Sequence, residues 1–190
     1  MKKLLLFFIY TIIPTICFSQ AVKQNEKFAE VPVVQGKVIF LKEIPLKKNI
    51  SKEENYEILK KWATVNYNKN PFISSVRHDP KNHEFIVKSR EELILPANSK
   101  GAREKIVMRY RINGFLFQDK CVMEITEIAF MTENNQNKEQ LSKFIRAEDF
   151  ITNEAISIKD EIAEYRINTR IVMLEYLNKI AKDFENQFRH

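Results

Sequence analysis

Four residues around one predicted turn have side chains of the kinds that bind divalent metals. His78 and Asp79 lie at the start of this turn, and His83 and Glu84 follow it. Imidazole nitrogens and carboxylate oxygens are common ligands of zinc and related ions. Polar residues of these types are also frequent in exposed turns, and no third histidine is near in the sequence. The pattern therefore favours an ordinary turn, and we predict no metal-binding residue.

Cys121 is the other residue whose type suggests chemistry. A catalytic thiol needs a neighbouring base and a lowered pKa, and no histidine is near Cys121 in the sequence. Cys121 alternates with Met123 and Ile125, which places all three on one face of a β-strand. We therefore predict a buried, unreactive thiol at this position.

The chain lacks the sequence motifs of the common enzyme classes. It contains three glycines in total and no glycine-rich phosphate-binding loop. It also has no serine nucleophile elbow and no helical pair of metal-binding histidines. We predict no catalytic residue and no cofactor, and a protein that is not an enzyme. The alternative is an enzyme, for example a hydrolase, whose site cannot be recognised from sequence.

The longest regular pattern covers residues 105–131 and predicts a β-hairpin. Apolar and polar residues alternate up to a short break at residues 118–120, after which the alternation resumes. Tyr110 belongs to the apolar set, which places Arg109 and Arg111 on the opposite face. These two arginines could contact an acidic ligand or partner. The alternative is that they lie on a solvated outer face of the sheet with no ligand.

The N-terminus has the three parts of a secretory signal peptide. Lys2 and Lys3 form a basic region, residues 4–16 are mostly apolar, and the small residues Cys17 and Ser19 precede Gln20. Roughly 13 apolar residues are too few to cross a bilayer core of ~30 Å. We therefore expect residues 1–19 to be a signal peptide cleaved between Ser19 and Gln20, and the protein to be periplasmic or secreted.

Two other outcomes stay open for this segment. Cleavage after Ala21 fits nearly as well, since Ser19 then lies at the third-last position. Acylation of Cys17 would give a lipoprotein, although Ile16 is bulkier than the residue that normally precedes such a cysteine. No other stretch is apolar over the ~18 residues that a membrane span needs, so we expect no transmembrane segment in the mature chain.

The expected mature chain has the size and charge of one ordinary domain. Removal of residues 1–19 leaves 171 residues and lowers the formal net charge from +6 to +4, because Lys2 and Lys3 are lost. This excess is mild and an exported protein seldom meets nucleic acid, so we expect no nucleic-acid partner. Cys121 is then the only cysteine, which excludes an intramolecular disulfide. We expect a flexible lead-in over residues 20–31 and a single domain over residues 32–188.

Periodicity predicts the order of helices and strands in this domain. Strands are predicted over residues 37–44, 72–78 and 83–95 and in both arms of the hairpin. Ser51 and Glu54 form a capping box at the start of a helix. Trp62 in that helix could stack on a sugar, but its place on an amphipathic helix predicts a core anchor. Residues 140–150 are predicted to form a short helix or helical turns.

A long C-terminal helix is predicted after Asn153. Its apolar stripe at helical spacing consists of Ile167, Ile171, Leu174, Leu177, Ala181, Phe184 and Phe188. The Ser51 helix has a stripe of its own, and each stripe needs an apolar surface to cover it. We predict an α+β fold with an antiparallel sheet of about five strands, in the order β-α-β-β-β-β-α, and both main helices on one face.

Several short motifs follow one another in the order and spacing of a known family. They are PVVQGKVIF at residues 32–40, Tyr56-x5-Trp62, Tyr110-x-Ile112, Asp119-Lys120-Cys121, Ala147-Glu148-x-x-Ile151-Thr152-x-Glu154 and Tyr165-Arg166-x-x-Thr169-Arg170. In these motifs the chain resembles the exported bacterial proteins catalogued as domain of unknown function 4468, whose fold is similar to that of the TATA-box-binding protein. The resemblance covers residues 32–184. It implies a fold and export, and it implies no activity.

These features together predict an exported, non-catalytic protein of the cell envelope. Its expected role is to bind an envelope protein or a ligand. The binding surface is predicted to be a face of the sheet that includes Arg109 and Arg111.

Overall fold

The computed structural model describes residues 23–24, 26–131 and 144–188. The predicted signal peptide and its cleavage site lie outside the described residues, as does the first part of the predicted helical segment 140–150. Within the described ranges, no helix is both long and apolar enough to cross a membrane.

The predicted hairpin forms the centre of an antiparallel sheet. The strands of the described residues are β1 (Val33–Val34), β2 (Lys37–Val38), β3 (Phe40–Pro45), β4 (Ser74–Asp79), β5 (Glu84–Ala97), β6 (Arg103–Leu116), β7 (Lys120–Met131) and β8 (Phe144–Arg146). The hairpin strands β6 and β7 lie in the middle of the order β3-β7-β6-β5-β4, and β8 pairs with the free part of β7. Two main helices, α1 (Lys52–Tyr67) and α3 (Ala163–Asn186), cover one face, and the short helix α2 (Asn153–Ser157) precedes α3. The predicted α+β class is confirmed.

The predicted number of strands was too low. The described part of the main sheet has six strands where about five were expected. The additional strand is β8, in the segment predicted to be helical. It pairs with residues 129–131 of β7, and only the 3₁₀ turn Ala147–Asp149 after it is helical. Phe144 and Ile145 suggested a helix because periodicity cannot separate a strand from a helix over so few residues.

The first strand is also divided differently from the prediction for residues 37–44. It separates at Ile39 into β2 and β3. β2 folds back on β1 through a turn in which Gln35 and Gly36 have φ of 50° and 75°. Positive φ at both central residues is the geometry of a tight two-residue hairpin turn, which glycine adopts easily.

Helix α1 begins at the predicted capping box. The backbone N–H of Glu54 donates to Ser51 Oγ, and the backbone N–H of Ser51 donates to the Glu54 carboxylate. Trp62 is buried as predicted. Its indole N–H donates to Asp183 Oδ2 at 2.7 Å, and its ring lies edge-to-face on Phe184 with centroids 4.7 Å apart. Trp62 therefore joins α1 to α3 in the core.

Helix α3 is present, but the first half of its predicted apolar stripe is wrong. Ile167 and Ile171 are 42% and 44% exposed. The stripe that faces the sheet in this half contains Thr169 and Met173, and from Leu177 onward it follows the prediction. Thr169 is tolerated in the core because its hydroxyl donates to the carbonyl of Tyr165 at 2.8 Å.

Residues 26–31 of the expected lead-in, residues 20–31, are described without a gap, and this end of the segment is packed where flexibility was expected. Phe28 is buried and lies edge-to-face on Phe40, with centroids 5.0 Å apart. Its backbone N–H donates to Asn178 Oδ1 at 2.8 Å, and its carbonyl accepts from Asn178 Nδ2 at 3.0 Å. Phe28 and Val31 are apolar residues that the sheet and α3 cover, so the end of the lead-in belongs to the core.

This segment also encloses a buried ion pair between Lys42 and Glu185. Lys42 in β3 places Nζ 3.2 Å from Glu185 Oε2 in α3, and both side chains are almost fully buried. The ammonium also donates to the carbonyl oxygens of Lys23 at 2.7 Å and Glu26 at 2.6 Å. The pair therefore ties the lead-in, the first long strand and the last helix together.

Candidate functional site

The sheet face that points away from α1 and α3 carries a dense group of positive side chains. Because residues alternate along a strand, the neighbours of buried Val87, Met108 and Tyr110 point to this open face. We call five cations of this face the basic cluster: Lys88, Arg90, Arg109, Arg111 and Arg146. All of them are exposed except Arg111, which is partly covered.

The strand register places like charges of the basic cluster directly opposite one another. Lys88 pairs with Arg111, and Arg90 pairs with Arg109. On the other side of Arg109, Ala129 of β7 lies between it and Arg146 of β8. Like charges directly opposite in an antiparallel pair destabilise the sheet. The cluster is therefore an arrangement that sheet stability alone does not favour.

Two members of the basic cluster have acidic neighbours. Arg111 Nη1 lies 2.8 Å from Glu127 Oε1, and Arg146 lies 2.9 Å from Asp149 Oδ2. The guanidinium of Arg109 instead lies 4.2 Å from the ring centroid of Phe144, a cation–π contact that fixes its position and leaves its donors unneutralised.

The other two members, Lys88 and Arg90, form no ion pair within the described residues, and neither does Arg109. Three of the five cations are therefore available to an anion.

A groove of about 660 Å³ borders the cluster. Its cationic lining consists of Lys37, Lys88, Arg109 and Arg146, and its carboxylates are those of Glu127 and Glu148. Glu127 is engaged by Arg111, and Glu148 accepts the backbone N–H of Val38 at 2.8 Å. With four cations against two carboxylates, the lining of the groove has an excess of positive charge.

A β-bulge in β7 shapes one wall of this groove. Arg109 pairs with Ala129 and Arg111 with Thr126, so Glu127 and Ile128 together oppose Tyr110. Glu127 has a φ of 52°, a left-handed conformation that is uncommon for a residue other than glycine. Bulges often re-aim a side chain beside a functional site. Here the bulge brings the Glu127 carboxylate to Arg111 while Ile128 stays buried.

The structure places the predicted residues Arg109 and Arg111 beside three cations that the sequence did not indicate. These are Lys88, Arg90 and Arg146. Lys88 and Arg90 alternate along β5 as Arg109 and Arg111 do along β6, so a correct hairpin register would have placed the four opposite one another. Arg146 could not be found in this way, because its segment was predicted to be helical.

The candidate metal ligands do not converge. Asp79 accepts from the backbone N–H and the side-chain amide of Asn82, and this bonding lowers the pKa of its carboxyl. His78 Nε2 lies 3.3 Å from Thr64 Oγ1, and the His83 ring packs edge-to-face on Tyr56. In the part of the chain that the structure describes, no group of three or more His, Cys, Asp or Glu is placed to hold a metal.

Cys121 lies in the core between Ile44 and Leu116, its pairing neighbours on β3 and β6. It is fully buried, and burial raises the pKa of its thiol well above the ordinary value. A nucleophilic cysteine needs the opposite shift, because the thiolate is the reactive form. The position therefore has the properties of a small hydrophobic residue.

The protein is an α+β domain in which helices cover one face of the sheet and the other face is exposed and basic. Residues 40–131 match the family model described as "domain of unknown function (DUF4468) with TBP-like fold". The family resemblance is thereby confirmed over these residues. No protein with a curated description matches the chain.

Two solved structures have the same fold. A TBP-like protein from Parabacteroides distasonis superposes with a TM-score of 0.68 at 21% identity, over 83% of this chain and 96% of that one. A DUF4468 family protein from Bacteroides ovatus superposes with a TM-score of 0.65 at 17% identity, over 84% of this chain and 91% of that one. At these identities the likeness shows the fold alone.

Proposed function

We propose that the protein is an exported, non-catalytic binding module of the cell envelope that takes an acidic partner on its open sheet face. The observation that carries this proposal is the pairing of Lys88 with Arg111 and of Arg90 with Arg109. Proteins depart from locally favourable pairing mainly at functional sites. A carboxylate-rich segment laid across the two pairs would turn a repulsive arrangement into an attractive one.

The expected partner is a segment of an envelope protein rich in Asp and Glu. Arginine presents its donors in a planar fork that matches a carboxylate, so Arg90 and Arg109 suit this chemistry better than lysines would. The groove beside Arg109 gives such a segment a concave surface to follow. Nucleic acid, which also offers anions, is not the expected partner of an exported protein.

The test is the binding of a fluorescent oligoglutamate peptide, measured by anisotropy. We expect the wild-type protein to bind it at low ionic strength and to lose it as sodium chloride is added, because surface charges are screened. The double substitution Arg90→Glu/Arg109→Glu should weaken binding by at least about ten-fold, since each reversal replaces an attraction with a repulsion. Both side chains are exposed, so the variant should fold.

A matched control reverses two cations away from the open face, Lys60→Glu/Lys61→Glu on α1. This variant has the same net charge as the Arg90/Arg109 variant, and it should bind the peptide nearly as well as the wild type. Equal weakening in both variants would show that net charge, and not the basic cluster, determines binding, and would contradict the proposal.

Export is part of the same proposal and rests on the N-terminal pattern of Lys2, Lys3 and the apolar segment 4–16. The native protein should begin at Gln20, or at Val22 if cleavage follows Ala21. Mass spectrometry of the protein purified from its own cells measures this directly. An intact Met1, or a diacylglycerol on Cys17, would rule out the proposed cleavage.

A further inference from the structure

We propose that the helix-covered side of the sheet contains a second site, a cleft between α1 and α3 that binds a neutral saccharide. This site is separate from the basic cluster and goes beyond the proposed function. The cleft has a volume of about 590 Å³, which is in the range of small-ligand sites. We call it the tyrosine cleft, after Tyr67, Tyr110 and Tyr176 in its lining, which also contains the hydroxyls of Ser74 and Ser89.

Two of these hydroxyl groups form a network that ends on a carboxylate. Tyr176 Oη donates to Glu91 Oε2 at 3.3 Å, and the hydroxyls of Tyr110 and Tyr176 are 2.9 Å apart. Since each hydroxyl has one proton, Tyr110 must donate to Tyr176. Tyr67 and Ser89 add two further hydroxyls to the lining of the cleft.

This direction of donation leaves acceptor capacity in the cleft. A hydroxyl oxygen has two lone pairs, and the Tyr176 oxygen uses only one of them to accept from Tyr110. Burial raises the pKa of Tyr67, Tyr110 and Tyr176, so these phenols stay neutral at physiological pH. The cleft thus offers neutral oxygen acceptors that suit the hydroxyl donors of a ligand.

The rest of the lining presents donors and acceptors in similar numbers. Its charged residues are Lys69, Lys179, Lys182, Glu91 and Asp183, and three asparagines add amide groups. An anionic ligand would meet the carboxylates of Glu91 and Asp183, and a cationic ligand would meet three lysines. A neutral molecule with many hydroxyls satisfies both kinds of group, because each hydroxyl both donates and accepts. A saccharide of one or two rings is the ligand class that this lining fits.

The chain contains its own reporter of binding. Trp62 is the single tryptophan of the sequence, and it lines the cleft. Maltose, cellobiose and N,N′-diacetylchitobiose are the probes, each titrated to about 50 mM, which reaches dissociation constants in the millimolar range. We expect at least one of them to change the Trp62 emission along a saturable curve.

Substitutions then locate the site. Ser89→Ala and Tyr176→Phe should each raise the apparent dissociation constant by about five-fold, which is the size expected for one lost hydrogen bond. Tyr165→Phe is the matched control, because it also removes a phenol from α3 but its hydroxyl donates to the carbonyl of Lys105, outside the cleft. Its binding should stay within about two-fold of the wild type, less than the change expected for a lost hydrogen bond.

Two outcomes would overturn the proposal. One is the absence of a saturable response to all three saccharides in the folded wild-type protein. The other is a response that Ser89→Ala and Tyr176→Phe leave unchanged. If Tyr176→Phe does not fold, as judged by circular dichroism, Glu91→Gln takes its place, because Glu91 is exposed and anchors the same network.

Discussion

Replacing Lys42 with methionine is expected to lower the free energy of unfolding by about 3–5 kcal/mol. The substitution removes the ammonium 3.2 Å from the Glu185 carboxylate, which stays buried. It also removes the donor to the carbonyl oxygens of Lys23 and Glu26. Since a domain is stable by only about 5–15 kcal/mol in total, the variant should lose a large part of its stability.

Chemical denaturation of the two proteins measures this loss. The double substitution Lys42→Met/Glu185→Leu should recover most of it, because replacing both members of a buried pair by apolar residues removes the buried carboxylate as well. Lys120→Met is the matched control: Lys120 also pairs with a carboxylate, that of Glu43 at 2.8 Å, but near the surface. Its effect should stay below about 1 kcal/mol. Similar losses from Lys42→Met and Lys120→Met would show that burial does not set the strength of the Lys42–Glu185 pair.

Replacing Gly114 with alanine is expected to lower the free energy of unfolding by about 1–3 kcal/mol through overpacking. Gly114 of β6 lies directly opposite Phe85 of β5. A Cβ at position 114 would overlap the Phe85 ring, which also packs beside Trp62 and Phe184. The ring would have to move into a core where neighbouring aromatic rings already fill the space.

A double-mutant cycle with Phe85→Leu tests the cause. Phe85→Leu alone should destabilise the protein by leaving a cavity, and in its background the alanine at position 114 should cost much less than in the wild type. The two effects couple because the residues are in contact. Additive effects, or a Gly114→Ala variant as stable as the wild type, would contradict this role of the glycine.

The parts of the fold that could be predicted are those determined locally. The Ser51 capping box and the hairpin of β6 and β7 depend on residues close together in the chain, and both are present. Trp62 was predicted as a core anchor from its helix alone. What the local pattern could not supply was the partner of Trp62, because Asp183 lies in another helix.

The errors fall where distant segments compete for the same surface. Two faces of α3 have helical spacing. The more apolar one, which contains Ile167 and Ile171, predicts the buried stripe. The face with Thr169 is buried instead, since the Tyr165 carbonyl satisfies its hydroxyl. The burial of Lys42 could not be predicted for the same reason. No local pattern indicates a buried lysine, because its partner Glu185 comes close to it only in the tertiary fold.

Only part of the candidate site, Arg109 and Arg111, could be predicted from the sequence, for a similar reason. Alternation in one strand is enough to put Arg109 and Arg111 on the same face. The high positive charge of this face comes from the pairing with Lys88 and Arg90, which depends on the register between two strands. A shift of one residue would have sent those cations to the other face. The register, and the position of Arg146 on β8, became known only from the structure.

The occupancy of the open face in the native cell envelope can be measured by photocrosslinking. A photoreactive amino acid at Ser75, which is exposed and lies opposite Lys88, reports on this face. The same probe at Val65, exposed on α1, reports on the helix-covered side. On irradiation of intact cells we predict that the probe at position 75 forms an adduct with an acidic envelope protein. This adduct should be lost in the Arg90→Glu/Arg109→Glu background. The probe at position 65 should not form it. An adduct from position 65 alone, or one from position 75 that survives the charge reversal, would show that the basic cluster does not bind an acidic partner.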